Sequence, residues 1–313
     1  MKTLGKLNMN KYASLQNGSD IRGVALAGVE GQEVNLTLDA AADIGRAFGL
    51  WLCKKLGRET GLQVGVGRDC RLSGPSIADS FCAALAEGGV QVYDCGMAST
   101  PAMFMTTVTP GYGFDGAVMI TASHLPYNRN GLKFFTREGG LEKGDIKAIL
   151  DCADRREGLT RAAGSVESCD FMPVYAAQLV DAVRRQVNAA DYERPLKGFH
   201  ILVDAGNGAG GFYADKVLLP LGADIAGSQF LEPDGRFPNH MPNPEDKAAM
   251  AAIIDAVKAN KADLGIIFDT DVDRGGAVDE EGREINRNRL IAMVAAILLA
   301  ETPGCGIVTD SIT

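Results

Sequence analysis

Short apolar runs of strand length alternate with longer stretches of helical periodicity, and this alternation limits the folds open to the chain. In the first half, strand-like Leu62–Val66, Val90–Tyr93 and Ala117–Ile120 are interleaved with helical Ala40–Leu56 and Ser76–Glu87, and Gly144-Asp145 opens a helix running to about Ala153. The second half repeats the syntax: helix Val174–Val187, strand His200–Val203, helices Phe212–Leu219 and Pro244–Lys258, then strand Leu264–Phe268. Such an order requires sheets covered by helices, so the expected class is α/β. The polar, glycine-containing stretch Asp154–Ser168 is the best boundary, giving units at residues 1–168, 169–283 and 284–313. The third follows a hairpin-like Gly276–Glu284 and holds only helix Asn288–Leu299 and strand Gly306–Asp310. A parallel strand needs a further crossover element, so this unit is read as incomplete.

Composition narrows the function. With 46% hydrophobic and 23% charged residues in 313, the chain can bury full cores in two or more domains. A formal charge of −9 argues against nucleic acid or an anionic membrane as partner, since both need a basic face. An anionic small substrate would instead need a local basic pocket. The seven cysteines are odd in number and form no CxxC pair, which suits reduced thiols in a cytoplasmic protein. The longest apolar run, Leu290–Ala300, is too short to span a bilayer, and Met1–Gln16 lacks the apolar core of a signal peptide.

Two segments carry chemistry. Thr121-Ala122-Ser123-His124-Leu125-Pro126 follows the apolar strand and lifts a hydroxyl into a polar, proline-stiffened loop, with Lys133 beyond it in Asn130-Gly131-Leu132-Lys133. A nucleophilic serine needs its proton removed and its charge managed, which His124, Lys133 and a metal could do. Asp269, Asp271 and Asp273 leave strand Leu264–Phe268 at alternate positions and would converge carboxylates on a hard cation such as Mg²⁺. An EF-hand is a rival, with Glu280 at the twelfth position, but Arg274 occupies the position that needs glycine. An aspartyl-phosphate phosphatase loop and a solvated acidic turn are the other readings.

Together these segments resemble the α-D-phosphohexomutases, whose serine loop reads TASHNPxxxNGxK and whose metal loop reads DxDxDR. Leu125 departs from the family's asparagine. Ser19-Asp20-Ile21-Arg22-Gly23 is similar to the family's DIRG, and Gly67-Arg68-Asp69-Cys70-Arg71-Leu72-Ser73-Gly74 to GRDTRxSG. The resemblance implies successive α/β domains with mixed sheets between helices. It also implies a mutase that moves a phosphoryl group between positions 1 and 6 of a hexose phosphate, through phospho-Ser123 and a bisphosphate intermediate. It assigns Ser123 with Asp269, Asp271 and Asp273 to Mg²⁺, His124 and Lys133 to proton handling, and Arg22 and Arg274 to phosphoryl charge. Arg68 and Arg71 are divided between binding substrate phosphate and bridging domains. The family's sugar-reading GEESGH-type loop and its RxSGTEP-type phosphate loop are not found, so a metal-dependent phosphatase and a non-catalytic phosphosugar-binding remnant stay open as alternatives.

Gly206-Asn207-Gly208-Ala209-Gly210-Gly211 formally satisfies a dinucleotide fingerprint, but Asp224 sits at the start of the next strand instead of its end. It reads better as a tight strand-to-helix turn, like the family's Val-Asp-Ala-Gly-Asn-Gly. Pro233–His240 also matches the family, with no physical role evident beyond a stiffened loop, and His200 reads as structural.

Overall fold

A computed structural model describes residues 11–159 and 163–308. The first sheet is built from β1 (Gln16–Asn17), β2 (Asp20–Val24), β3 (Gln63–Arg68), β4 (Gln91–Met97), β5 (Gly116–Ile120), β6 (Arg129–Thr136), β7 (Gly139–Gly140) and β8 (Val166–Ser168). The order is β1-β2-β6-β5-β3-β4-β8, with β7 paired to β6. Strands β3, β4, β5 and β8 run parallel, whereas β6 returns antiparallel beside β5 and pairs antiparallel with β2, so the sheet is mixed. Helices α1 (Leu38–Leu56), α2 (Gly74–Glu87) and α4 (Lys143–Asp154) cover one face. There Phe48, Phe81 and Phe134 pack on the buried Val64, Val66, Val118 and Ile120 of the central strands. The other face is covered by α3 (Thr100–Thr106) and the start of α5 (Met172–Val187).

The second unit has a three-stranded sheet, β9 (Ile201–Asp204), β10 (Leu264–Phe268) and β11 (Gly275–Asp279), in the order β11-β10-β9. The β9–β10 pair is parallel and β10–β11 antiparallel. Helix α6 (Lys247–Asn260) packs on one face through Ala249, Ile253 and Val257. A short π-helix, Tyr213–Leu218, packs on the other, where the periodicity suggests an α-helix. Helix α7 (Arg287–Glu301) keeps Leu290, Met293, Val294, Ile297 and Leu298 exposed. Residues 306–308, expected to start a strand, are irregular, and the remainder of that expectation lies outside the described residues.

The stretch read as a boundary is more than a linker, because its end forms β8 and extends the first sheet. The sequence reading lacks β2 and β6. Both are interrupted by polar residues or glycine, yet β6 is the sheet's longest strand and carries Lys133. What positions chemistry is the polarity of the strands. The turns after β3, β5, β9 and β10 all leave carboxyl ends of parallel strands, where side chains from separate segments converge.

Candidate active site

Ser123 sits in the loop between the antiparallel β5 and β6, 4% exposed, with a left-handed backbone at φ 50°. A non-glycine residue in that region needs holding in place. Its N–H donates to the Thr121 hydroxyl at 2.9 Å, and that hydroxyl donates to Asp69 Oδ2 at 2.7 Å. So constrained, Ser123 Oγ donates to Asp269 Oδ2 at 2.7 Å and accepts from Arg274 Nη2 at 2.7 Å. The serine loop of the first unit and the acidic loop of the second are therefore in direct contact.

The acidic loop is a tight turn directly after β10. Asp269 Oδ1 accepts the N–H groups of Asp273 and Arg274 at 3.1 and 3.0 Å, and Val272 takes φ 64° to close the turn. One carboxylate oxygen each from Asp269, Asp271 and Asp273 lies within 4.8 Å of the others. Asp271 is fully buried: Thr100 Oγ1 donates to its Oδ2 at 2.6 Å and Lys133 Nζ donates to the same oxygen at 3.1 Å. Its Oδ1 is buried with no hydrogen-bond partner among the described residues. An orphaned carboxylate oxygen beside two more carboxylates, in an all-oxygen set, fits a hard cation. The triad could thus hold a metal ion.

Electrostatics agree with the crowding. Burial, reinforced by Asp271 and Asp273, pushes the Asp269 carboxyl up to about 7. Asp271 goes the other way: burial opposes ionisation, but Lys133 and Thr100 hold it below the usual carboxylate range. Burial would discharge Lys133, yet Asp271 and Asp273 overcome it and keep the ammonium above its ordinary value. His124 lies at the exposed rim and is lowered by partial burial and by Arg274 and Arg22, so its imidazole is neutral near pH 7 and Nδ1 accepts from Arg274.

The structure therefore brings Ser123, His124, Lys133, Arg274 and the three aspartates together. Arg22, on β2 beside Gly131 of β6, pairs with Asp20 at 2.8 Å and reaches the same region through its effect on His124. Arg68 is set apart: its guanidinium donates back to the Asp69 carbonyl at 3.4 Å, and it makes no hydrogen bond to the Ser123 cluster among the described residues. Arg71 departs from the phosphate-binding expectation. It is fully buried, and all five of its N–H directions are taken by Asp69 Oδ2 and by the carbonyls of Ser123, Leu125, Pro126 and Arg129. No donor is left for a ligand. Thr100, Thr121 and Asp69 were not singled out from sequence. Asp69 had a signal, an acid two residues before an arginine in a turn leaving a strand, and Thr121 opened the serine motif without a role of its own.

The Gly206–Gly211 turn closes the dinucleotide reading. A Cβ on Gly208 would meet the Thr270 carbonyl oxygen at 2.8 Å, and one on Gly211 the Leu231 oxygen at 2.1 Å. Its amides are spent within the fold: Gly206 N–H on Asp204, Asn207 N–H on Phe230 and Ala209 N–H on Thr270. The turn braces the acidic loop and leaves no cradle for a pyrophosphate.

Comparison with known proteins identifies relatives of both units. Residues 13–158 correspond to the family domain described as phosphoglucomutase/phosphomannomutase, alpha/beta/alpha domain I, and residues 176–282 to alpha/beta/alpha domain II. The chain belongs to the phosphoglucomutase/phosphomannomutase family. A phosphomannomutase/phosphoglucomutase from Pseudomonas aeruginosa is 35% identical over 299 residues, covering 95% of this chain and 59% of that protein. A phosphoglucomutase from Neisseria gonorrhoeae is 33% identical over 293 residues, covering 93% and 58%. The crystal structure of a family member from Burkholderia thailandensis superposes with a TM-score of 0.78 at 31% identity, over 93% of this chain and 60% of the other. The chain thus spans about three-fifths of the length of the relatives it matches.

Proposed function

We propose that this chain carries the phosphoryl-transfer half of a phosphohexomutase, with Ser123 as the residue that accepts and returns the phosphoryl group. The observation that supports this best is the junction of Ser123 Oγ with Asp269 and Arg274, which join nucleophile, metal loop and charge in one contact. In this reading Ser123 Oγ attacks the phosphoryl group of a hexose bisphosphate while its proton passes to Asp269, on whose Oδ2 the hydroxyl already donates at 2.7 Å. Lys133, held protonated, donates to the oxygen that leaves the phosphorus. Transfer to the other hydroxyl of the sugar reverses the roles. Arg274 lies on the Ser123 oxygen and Arg22 nearby, where charge spreads over the phosphoryl oxygens. Neutral His124 orients the Arg274 guanidinium through Nδ1. We assign Mg²⁺ to Asp269, Asp271 and Asp273, with an oxygen of Ser123 completing the set; when bound it would neutralise phosphoryl charge.

The units at 1–168, 169–283 and 284–313 are proposed as domain I, domain II and part of domain III, with the site at the junction of the first two. Hexose phosphate is the substrate class, and a cytoplasmic location goes with it. No helix among the described residues is long and apolar enough to cross a membrane. The test is incubation with a hexose 1,6-bisphosphate followed by intact-mass measurement and peptide mapping. One phosphate on Ser123, lost in Ser123→Ala, is expected. Phosphate on another residue with Ser123 always bare overturns the assignment.

A further inference from the structure

Arg71 spends its guanidinium on the serine loop. Four carbonyls, those of Ser123 at 2.5 Å, Leu125 at 2.7 Å, Pro126 at 2.7 Å and Arg129 at 3.0 Å, turn inward onto one cation. Carbonyl oxygens so gathered repel one another, and buried without a donor each would be costly. The loop therefore curls round the guanidinium. Asp69 completes the arrangement, since its Oδ2 accepts both Arg71 Nε at 3.2 Å and the Thr121 hydroxyl. Both sides of Ser123 are then tied to the same buried pair: its carbonyl directly to Arg71, its N–H through Thr121 to Asp69. These are the groups that flank its two backbone torsions, and φ is held at 50°.

The second unit covers this pair. The Phe237 ring lies 5.3 Å from the Arg71 guanidinium carbon, within cation–π range. Gly235 sits so close to the turn after β3 that an added Cβ would meet the Cys70 oxygen at 2.4 Å and Arg71 Cα at 2.9 Å. Cys70 Sγ in turn donates to the Asn207 carbonyl at 3.1 Å. The Pro233–His240 segment, which had no role in the sequence, is thereby seated on the residue that shapes the nucleophile loop.

We propose that Arg71 is a positioning residue: it sets the Ser123 backbone so that Oγ faces the metal loop, and the Phe237 loop keeps it there. The proposal rests on Ser123 being the phosphoryl acceptor. Lysine cannot replace arginine, because a point ammonium with three donors cannot span five acceptors fixed in a plane-directed fork.

The experiment compares the 313-residue chain with Arg71→Lys and Phe237→Leu. Two readouts are the saturation curve for Ser123 phosphorylation by glucose 1,6-bisphosphate and amide hydrogen exchange. A misplaced nucleophile costs about 100-fold in rate, so Arg71→Lys should lower the maximal labelling rate by about that factor while the half-saturating bisphosphate concentration is unchanged. The Leu125 and Arg129 amides, bonded to Ala122 and Pro126 carbonyls within the loop, should exchange faster while α1 stays protected. Phe237→Leu should move both readouts in the same direction and less far. Normal labelling and loop protection in Arg71→Lys overturn the proposal. So does a global loss of protection in Arg71→Lys accompanied by an unaffected Phe237→Leu, which would leave Arg71 a role in folding only. Should the parent chain take no phosphate, the acceptor assignment fails on its own, and exchange still decides: selective loosening of residues 121–130 supports the positioning role, unchanged protection refutes it.

Discussion

Gly131 offers a sharp test of how the strand that carries Lys133 is held. It lies on β6 opposite Arg22 of β2, and a Cβ there would fall 2.2 Å from the Ile21 carbonyl oxygen and 2.9 Å from that of Thr121, with Arg22 Cδ at 2.8 Å. Real Cβ contacts do not close below 3.0 Å, so Gly131→Ala must move backbone, and the two oxygens block it from separate segments, β2 and the residue just after β5. Overpacking that side chains can absorb costs about 1–3 kcal/mol. Here the neighbours are main chain, and a ladder hydrogen bond worth about 1 kcal/mol is strained as well. A loss of about 3 kcal/mol is expected, which corresponds to a fall of about 6–12 °C in the melting transition of the first unit. Calorimetry should find it, and Ser123 labelling should slow, because Thr121 precedes the serine loop and Arg22 faces the site. The sign refutes cleanly. In open space, alanine in place of strand glycine would stabilise by about 0.4–1 kcal/mol through the unfolded chain. An unchanged or raised melting temperature would mean that β2 and β6 are not packed as described.

Asp271→Asn should abolish or greatly weaken Mg²⁺ binding in titration calorimetry, and phosphorylated Ser123, adding a charge of about −2, should tighten it in the parent chain; unchanged binding in the variant would place the metal elsewhere. His240, buried against Asp204 at 3.0 Å, has its pKa raised because the carboxylate outweighs the burial that would lower it. A raised histidine stabilises fully below its unfolded value near 6.5, and that contribution fades as pH climbs through the folded value. The stability difference between the parent and His240→Gln should therefore shrink from pH 6 to pH 9, as urea unfolding would measure, and a constant difference would show that the ion pair contributes nothing. Burial pushes the Cys70 and Cys82 thiols up to about 12, so iodoacetamide at pH 8 should leave both untouched in the folded chain; rapid alkylation of Cys70 would mean that the turn beside Arg71 opens.

Much of this was legible in the sequence because the informative residues are local. Strand β10 was read to the residue from its unbroken apolar run, and the acidic loop followed from carboxylates spaced at alternate positions beyond it. The Ser123 loop was readable for the same reason, as a polar segment leaving the buried β5. Strands β2 and β6 were not, since Arg22, Arg129, Asn130 and Lys133 interrupt any alternation. Those polar residues are tolerated there because their partners come from other segments: Asn130 Nδ2 donates to Ser73 at 2.9 Å, and Lys133 is neutralised by Asp271 and Asp273. The Tyr213–Leu218 segment has helical apolar spacing, and spacing does not distinguish one extra residue per turn.

Arginine was the hardest residue to read, for a reason that applies beyond this chain. Arg71 and Arg274 are equal in sequence, each in a turn that leaves a strand beside an aspartate. Their difference lies in how many acceptors surround the guanidinium. Arg274 bonds Asp269, Ser123 and His124 and is 31% exposed in its side chain, so it faces the space where a phosphoryl group would stand. Arg71 has five acceptors and no exposure, four of them carbonyls that only the folded loop brings together. Backbone acceptors leave no mark on side-chain identity, so no motif could have separated a charge that meets substrate from one that shapes the loop presenting the nucleophile. The same holds for Gly208 and Gly211, whose run looks like a ligand cradle, and for Gly235 in a loop without an evident role: all three are points where one main chain passes against another. What decides the role of such residues is the partner backbone: for Arg71 it is the serine loop of its own unit, for Gly208 and Gly211 neighbouring segments of theirs, and for Gly235 the turn after β3 in the other unit.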